Sequence, residues 1–277
     1  MPPKDNTICG LVYTCEDYLP IFEMFAKEWN ELGSCPIPMY VASHRFTNHA
    51  PIDGFTYLTP DIPADTDGTH WYKTMLYALY QLPHDYVFAF LDDFMVVSIN
   101  WPRIMDEVLP FVRQNNATSL TFQGVPIGTT YFTPVTDEGA PVGLHRMTPD
   151  FPYKNSTQPA IWNRLHLINL LEKNPTIRLH TFDAVLEQWD DPSYVRFATN
   201  NKINASDGGW PGYSTFISYI EIMRWQAFNV MEPHATLPYL RYLVEKYNLH
   251  DDPRCDTFFD RAEKEADVSM WSQGVRL

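Results

Sequence analysis

Cysteine is scarce in this chain: Cys9, Cys15, Cys35 and Cys255 are all it has in 277 residues. No pair stands in C-x-x-C spacing, which argues against a zinc site, and a chain of this length builds a core without a disulfide framework. Long hydrophobic runs are also missing, since no segment approaches the ~18 uninterrupted apolar residues of a membrane span. The opening residues, MPPKDNTICG, lack the apolar stretch of a secretory signal. The expectation is a cytoplasmic protein with no transmembrane segment. Positive charge is short as well, with 20 Lys and Arg against 34 Asp and Glu and a net charge of -14. That balance speaks against nucleic acid as a partner, because a phosphate backbone needs a basic surface. A small phosphorylated ligand remains possible, since one pocket or one metal ion can supply the positive charge locally. Internal repeats and low-complexity segments are absent, and the 23 prolines are scattered as turn markers.

What the chain does have is apolar and aromatic residues, 45% and 15% of the total, enough for one large globular core. Their pattern alternates between strand and helix. Ile8–Tyr13 reads as a buried strand, and YLPIFEMFAKEWNEL as a helix closed by Gly33. PMYVAS and GFTYLTP follow as strands, then a polar loop, then the helix WYKTMLYALYQL. Tyr86–Leu91 is a central strand, apolar on both faces. WPRIMDEVLPFVRQNN reads as a helix and ATSLTFQG as a strand, with short strands in GTTYFTPV and PVGLHRM. QPAIWNRLHLINLLEKNP reads as a helix starting near Pro159, and TFDAVLEQW as a shorter one. YSTFISYIEIMRW and HATLPYLRYLVEKYNL read as helices of a C-terminal extension. The alternation predicts an α/β fold with a mostly parallel sheet flanked by helices.

One stretch does not fit a simple core. YVFAFLDDFMVV places Asp92 and Asp93 inside an apolar run, although an ionised carboxylate is costly to bury. In an open α/β sheet, ligands bind at the carboxyl ends of the strands, and both aspartates fall at the end of the central one. The position is expected to face solvent. Oxygen donors there suit Mg²⁺ or Mn²⁺, held by one or two carboxylates plus substrate phosphates. A turn or helix cap is the plainer alternative.

Three segments together resemble a group of nucleotide-sugar-dependent glycosyltransferases of the GT-A type, from bacterial, phage and large-virus glycan loci. They are VYTCEDYLPIFEMFAKEWNEL, then HWYKTMLYALYQLPHDYVFAFLDDFMV with its terminal DDF, then STQPAIWNRLHLINLLEKNP with its QPAIW. The resemblance covers roughly residues 8 to 190. It implies a Rossmann-like GT-A domain over residues 1–195 with a mainly helical extension over 196–277 packed on it. It also implies a nucleotide-diphosphate sugar as donor, a carbohydrate as acceptor and a divalent metal, Mn²⁺ or Mg²⁺.

By that resemblance Asp92 and Asp93 match the metal-holding acids, Asp92 also serving the donor. The group usually separates its two acids by one residue, whereas here they are adjacent, so one ligand can act indirectly. Thr14, Cys15, Glu16 and Tyr18 match the place that receives base and ribose, with Tyr18 as a helix staple the alternative. Trp71 matches a nucleotide-pocket position, or else a packed core residue. Lys73 is read as a phosphate contact or an exposed helix lysine. Gln158 and Trp162 match the start of the helix facing the donor sugar, with core packing the alternative for Trp162. His234 is a remote candidate for the metal. An inverting transfer needs a base for the acceptor hydroxyl. Asp183, after Phe182, is the closest match and Glu187, a turn further on, the reserve; a dipole-stabilising acid is the alternative for Asp183. Two rivals stand beside this reading. A sugar-phosphate nucleotidyltransferase usually carries a Gly-rich basic loop where this chain has TCEDYLP. A non-catalytic glycan-binding protein would keep the fold without the acids.

Overall fold

The computed structural model describes residues 7–47, 49–63, 70–92, 94–122, 130–151, 154–155, 159–175, 195–199, 220–224 and 245–248. Its first half is the predicted alternation: β1 (Ile8–Tyr13), α1 (Leu19–Glu31), β2 (Met39–Ala42), β3 (Phe55–Leu58), α2 (His70–Gln81) and β4 (Tyr86–Leu91). Helix α1 has Pro20 in its first turn, where a missing N–H costs nothing. It stops at Gly33, whose φ of +96° is the left-handed cap that glycine adopts without strain.

β1 pairs in parallel with β2 on one side and β4 on the other, and β2 pairs in parallel with β3. Beyond β4 the sheet changes character. β9 (Ala160–Asn163) lies antiparallel between β4 and β6 (Ser119–Thr121). β10 (Arg196–Thr199) joins β6 in parallel, and β8 (Leu144–Met147) and β7 (Phe132–Pro134) complete the edge in antiparallel fashion. Among the described residues the strand order is β3-β2-β1-β4-β9-β6-β10-β8-β7. This is a mixed α/β sheet whose parallel block is its first four strands.

Alternation along the strands divides the core into two layers. Ile8 and Val12 of β1 face the same way as Phe88 and Phe90 of β4. They pack with Phe22, Phe25 and Trp29 of α1. Cys9, Leu11 and Tyr13 face the other way, against Trp71, Met75 and Ala78 of α2. Leu167, Ile168 and Leu171 of α5 (Arg164–Glu172) join that second layer. Arg164 ties α5 to α2 through backbone carbonyls, its Nε donating to His84 O at 2.6 Å and its guanidinium to Leu79 O at 3.2 Å. Both faces of the sheet are therefore covered, as the unbroken hydrophobicity of β1 and β4 requires.

Past β4 the chain turns at Asp92 and continues as β5 (Phe94–Ile99), and two readings change. β5 forms a second sheet with β11 (Ile220–Arg224), so IEIMR is a strand where a helix was expected. PAIW is likewise not the start of a helix. Ala160–Asn163 forms β9, and α5 begins only at Arg164, capped by the Asn163 side chain accepting from His166 N. The helix expected over residues 101–116 forms, as α3 (Trp101–Arg103), a π-helical stretch Ile104–Val108 and α4 (Leu109–Gln114) in succession. Residues 181–189 lie outside the described residues. Of the C-terminal part, Lys246 and Tyr247 reach α1: Lys246 Nζ lies 2.6 Å from Glu28 and 2.7 Å from Glu31. No helix among the described residues is long and apolar enough to cross a membrane.

Candidate functional site

β1, β2, β3 and β4 run parallel, so their carboxyl ends open on one edge of the sheet. The chain builds outward from β1 to β2 and β3, then returns to place β4 on the other flank of β1. The point between β1 and β4 is thus a topological switch, where two consecutive connections depart in opposite directions and leave a crevice. Thr14 and Asp92 are the first residues beyond those two strands.

They touch. The Thr14 hydroxyl donates to Asp92 Oδ2 at 2.6 Å, and Asp92 N donates to Tyr13 O at 3.2 Å. Thr14 N in turn donates to Ala42 O at 2.9 Å, which fixes Thr14 to the end of β2. Asp92 is only 5% exposed, so the expectation that it faces solvent is corrected. Its burial is met by polar contacts at the strand ends instead, which is how a carboxylate is kept in a protein interior.

The next residues of β1 lead across the mouth. Cys15 is half-buried in extended conformation, and Glu16–Tyr18 form a 3₁₀ turn into α1. Tyr18 packs against the core layer under α1, the staple alternative. From the end of β2 comes His44, which sequence reasoning did not single out. Its side chain is 3% exposed, its Nε2 lies 3.8 Å from Glu16 Oε2, and its ring meets that of His70 at 4.8 Å. Its backbone carbonyl accepts from Thr59 Oγ1 at 3.1 Å and from Ile62 N at 3.0 Å, tying it to the end of β3. The signal for His44 was positional: it follows a short apolar strand next to β1, and strand ends of a parallel block share one mouth. Arg45 and Asp61 form an exposed ion pair nearby in sequence, at 3.3 Å.

Trp71 is buried, one residue inside α2, with its ring edge-on to Tyr13 at 6.1 Å between centroids. It lies in the α2 core layer, the packed alternative. Trp162 is also buried in that layer, on β9 opposite Val87, so its place is a strand and not a helix start. Lys73 is exposed on α2. The structure thus brings Thr14, Glu16, His44, His70 and Asp92 to the ends of the first four strands and the start of α2. Asp93, Gln158, Asp183, Glu187 and His234 lie outside the described residues.

No group of three or more His, Cys, Asp or Glu poised around a metal exists among the described residues. Among the described residues, Asp92 is the buried carboxylate at the end of β4. An oxygen donor of this kind suits a hard cation such as Mg²⁺ or Mn²⁺.

No family model matches the chain, and no curated protein matches it in sequence. Solved structures are similar at low identity. Residues 1–349 of S. aureus TarS in complex with UDP share 11% identity at a TM-score of 0.44, over 98% of this chain and 76% of that one. The TarS complex with UDP-GlcNAc gives 14% and 0.39 over the same shares. An apo UDP-glucose pyrophosphorylase gives 11% and 0.41, over 70% of this chain and 90% of that one. All three scores fall below 0.5, so the functional reading rests on the residues of the site.

Proposed function

We propose that this chain is a GT-A glycosyltransferase that moves a sugar from a nucleotide-diphosphate donor to a carbohydrate acceptor. The observation that carries the reading is the Thr14–Asp92 pair at the β1/β4 switch point: a buried carboxylate, held by its neighbouring strand, at the crevice where α/β sheets take nucleotides. Asp92, with Asp93 beside it in sequence, would hold Mn²⁺ or Mg²⁺. When bound, the ion offsets the charge on the diphosphate leaving group.

The chain's own residues do the rest. The strand ends around Thr14 and Glu16 receive the nucleoside. Asp183 takes the proton from the acceptor hydroxyl as its oxygen bonds to the anomeric carbon and the bond from that carbon to the diphosphate breaks. Glu187 stands in reserve for that role. A single displacement of this kind inverts the anomeric configuration. The connection from β1 to α1 runs Thr14–Tyr18 with neither a glycine nor a basic residue, which disfavours nucleotidyl transfer at this site.

The test is a panel of nucleotide sugars incubated with the protein, with and without Mn²⁺ and without acceptor. Slow release of free sugar and nucleoside diphosphate supports glycosyl transfer. Nucleoside triphosphate formed from the nucleotide sugar and pyrophosphate would instead identify a nucleotidyltransferase. Binding without turnover would identify a glycan- or nucleotide-binding protein.

A further inference from the structure

We infer that the C-terminal part of the chain completes the donor site, its strand β11 carrying Arg224 to the terminal phosphate of the diphosphate. The inference rests on the nucleotide-sugar reading above and deepens it; the register of the small second sheet carries it. β5 leaves the mouth at Phe94, two positions past Asp92, and runs away from it. Its last residue, Ile99, shares a surface groove with Leu32, the residue that closes α1 at the far end. β11 lies antiparallel to β5, so it returns toward the mouth and ends with Arg224 opposite Phe94.

A break in the ladder sets that register. Pairing shifts by one residue between Glu221 and Ile222, where the partner on β5 passes from Ser98 to Val96. Without the shift Arg224 would pair with Met95, one step further from Asp92. Bulges of this kind recur beside functional sites, where they re-aim a strand. Paired residues of antiparallel strands lie about 4.5–5.5 Å apart at Cα, and each step along a chain adds ~3.8 Å. Arg224 Cα therefore lies within about 13 Å of Asp92 Cα, a span that an arginine and a metal-bound diphosphate bridge between them. Alternate positions of β11, namely Ile220, Ile222 and Arg224, pair with Ile99, Val96 and Phe94, and the last two of these are buried under α1. The strand thus reads apolar, apolar, then cation at its end nearest the mouth. Transfer leaves the diphosphate with one more negative charge than it had in the donor, on its terminal phosphate. A guanidinium fork matches phosphate oxygens bidentately and stabilises that charge alongside a divalent ion.

The experiment is calorimetric titration of the whole chain, with and without Mn²⁺, using UDP against UMP and GDP against GMP. Arg224→Gln is expected to weaken the diphosphate that binds by about 10- to 100-fold, as for hydrogen bonds to a charged group, and to leave its monophosphate nearly unchanged. Arg224→Lys is expected to fall between, since an ammonium keeps the charge and loses the fork. The response to Mn²⁺ should persist in both variants, which a loss acting through Asp92 would not allow. If Arg224→Gln does not fold, Arg224→Lys decides, with a several-fold loss confined to the diphosphate. In a folded variant, no loss, an equal loss of monophosphate and diphosphate, or a lost response to Mn²⁺ would overturn the role of Arg224 and leave the donor site standing. Failure of every nucleoside diphosphate and nucleotide sugar to bind the wild type would overturn both.

Discussion

Thr14 and Asp92 are 78 positions apart in sequence, yet the hydroxyl of one donates to the carboxylate of the other at 2.6 Å. The contact joins the ends of β1 and β4, whose register runs from Ile8 opposite Tyr86 to Tyr13 opposite Leu91. A threonine here therefore orients an acid as well as closing a strand. Thr14→Val removes the donor and leaves a buried carboxylate short of one partner. The expected loss is about 1.5–3 kcal/mol, the range for hydrogen bonds to charged groups, read by urea denaturation. Donor affinity should fall with it. Unchanged stability would show that the pair contributes nothing.

Asp92→Asn tests the metal role. The amide keeps the shape and an acceptor for Thr14 but loses the charge. Nucleoside-diphosphate binding, titrated with and without chelator, should stop responding to Mn²⁺, and transfer should fall to background while the fold survives. An undiminished response to Mn²⁺ in the variant would remove Asp92 from the metal site.

Much of this was legible in the sequence, for identifiable reasons. β1, α1, β2, β3, α2 and β4 are each announced by local pattern, because the parallel block is built from continuous apolar strands and amphipathic helices. β9 was not. Ala160–Trp162 runs into α5 without a breaker, so the periodicity of the helix swallowed the strand before it. What makes those residues a strand is pairing with Phe88 and Leu120, which no local window contains. Asn163 was the available cue, since an Asn before an apolar periodic run is an N-cap. β11 failed for the same reason: its partner β5 lies more than a hundred residues earlier. At the site, Asp92 was legible because a carboxylate in an apolar run demands an explanation. His44 was not, because its importance comes from where β2 ends relative to β1.

The three described cysteines should separate by reactivity. Burial pushes the Cys9 thiol up to about 12, with the Arg164 charge only partly opposing it. At pH 8 it should be almost wholly protonated and inert, since the thiolate is the nucleophile. Cys15 and Cys35 are part-exposed. Iodoacetamide should label those two first and Cys9 only on unfolding, as read by peptide mass spectrometry, and a bound nucleoside diphosphate should slow Cys15. The sign for stability follows from the raised value. Above the ordinary thiol pKa, the unfolded chain loses a proton that the folded chain keeps, so stability declines as pH rises from about 8.5. Cys9→Ala should flatten that alkaline decline, and an equally steep decline in the variant would place its cause elsewhere.

A part-buried chain of polar contacts holds the segment between β2 and β3. Ile52 N donates to Tyr57 Oη at 2.9 Å, Tyr57 Oη lies 2.9 Å from His49 Nε2, and His49 Nδ1 faces Glu23 of α1 at 3.3 Å. Tyr57→Phe keeps the ring packing on Phe22 and Phe46 but strands Ile52 N–H and His49 Nε2. The expected cost is about 1–3 kcal/mol in thermal or urea denaturation. A loss of a few tenths would mean that water replaces the hydroxyl.

The base is the assignment that rests most on sequence, on Asp183 after Phe182 and on Glu187 four positions beyond. Asp183→Asn keeps size and hydrogen bonding but removes basicity. A base within hydrogen-bond reach contributes about 10²–10⁴-fold to rate, so transfer should fall within that range while donor binding persists. The wild-type product should carry the inverted anomeric configuration, because a base on the acceptor hydroxyl serves one direct displacement. Retention, seen by NMR of the product, would defeat the assignment even if the variant were inactive, since retention requires a different path. If Asp183→Asn is active and Glu187→Gln is dead, the base is Glu187 and the donor site at Asp92 is unaffected. The two substitutions thus separate the position of the base from the identity of the reaction.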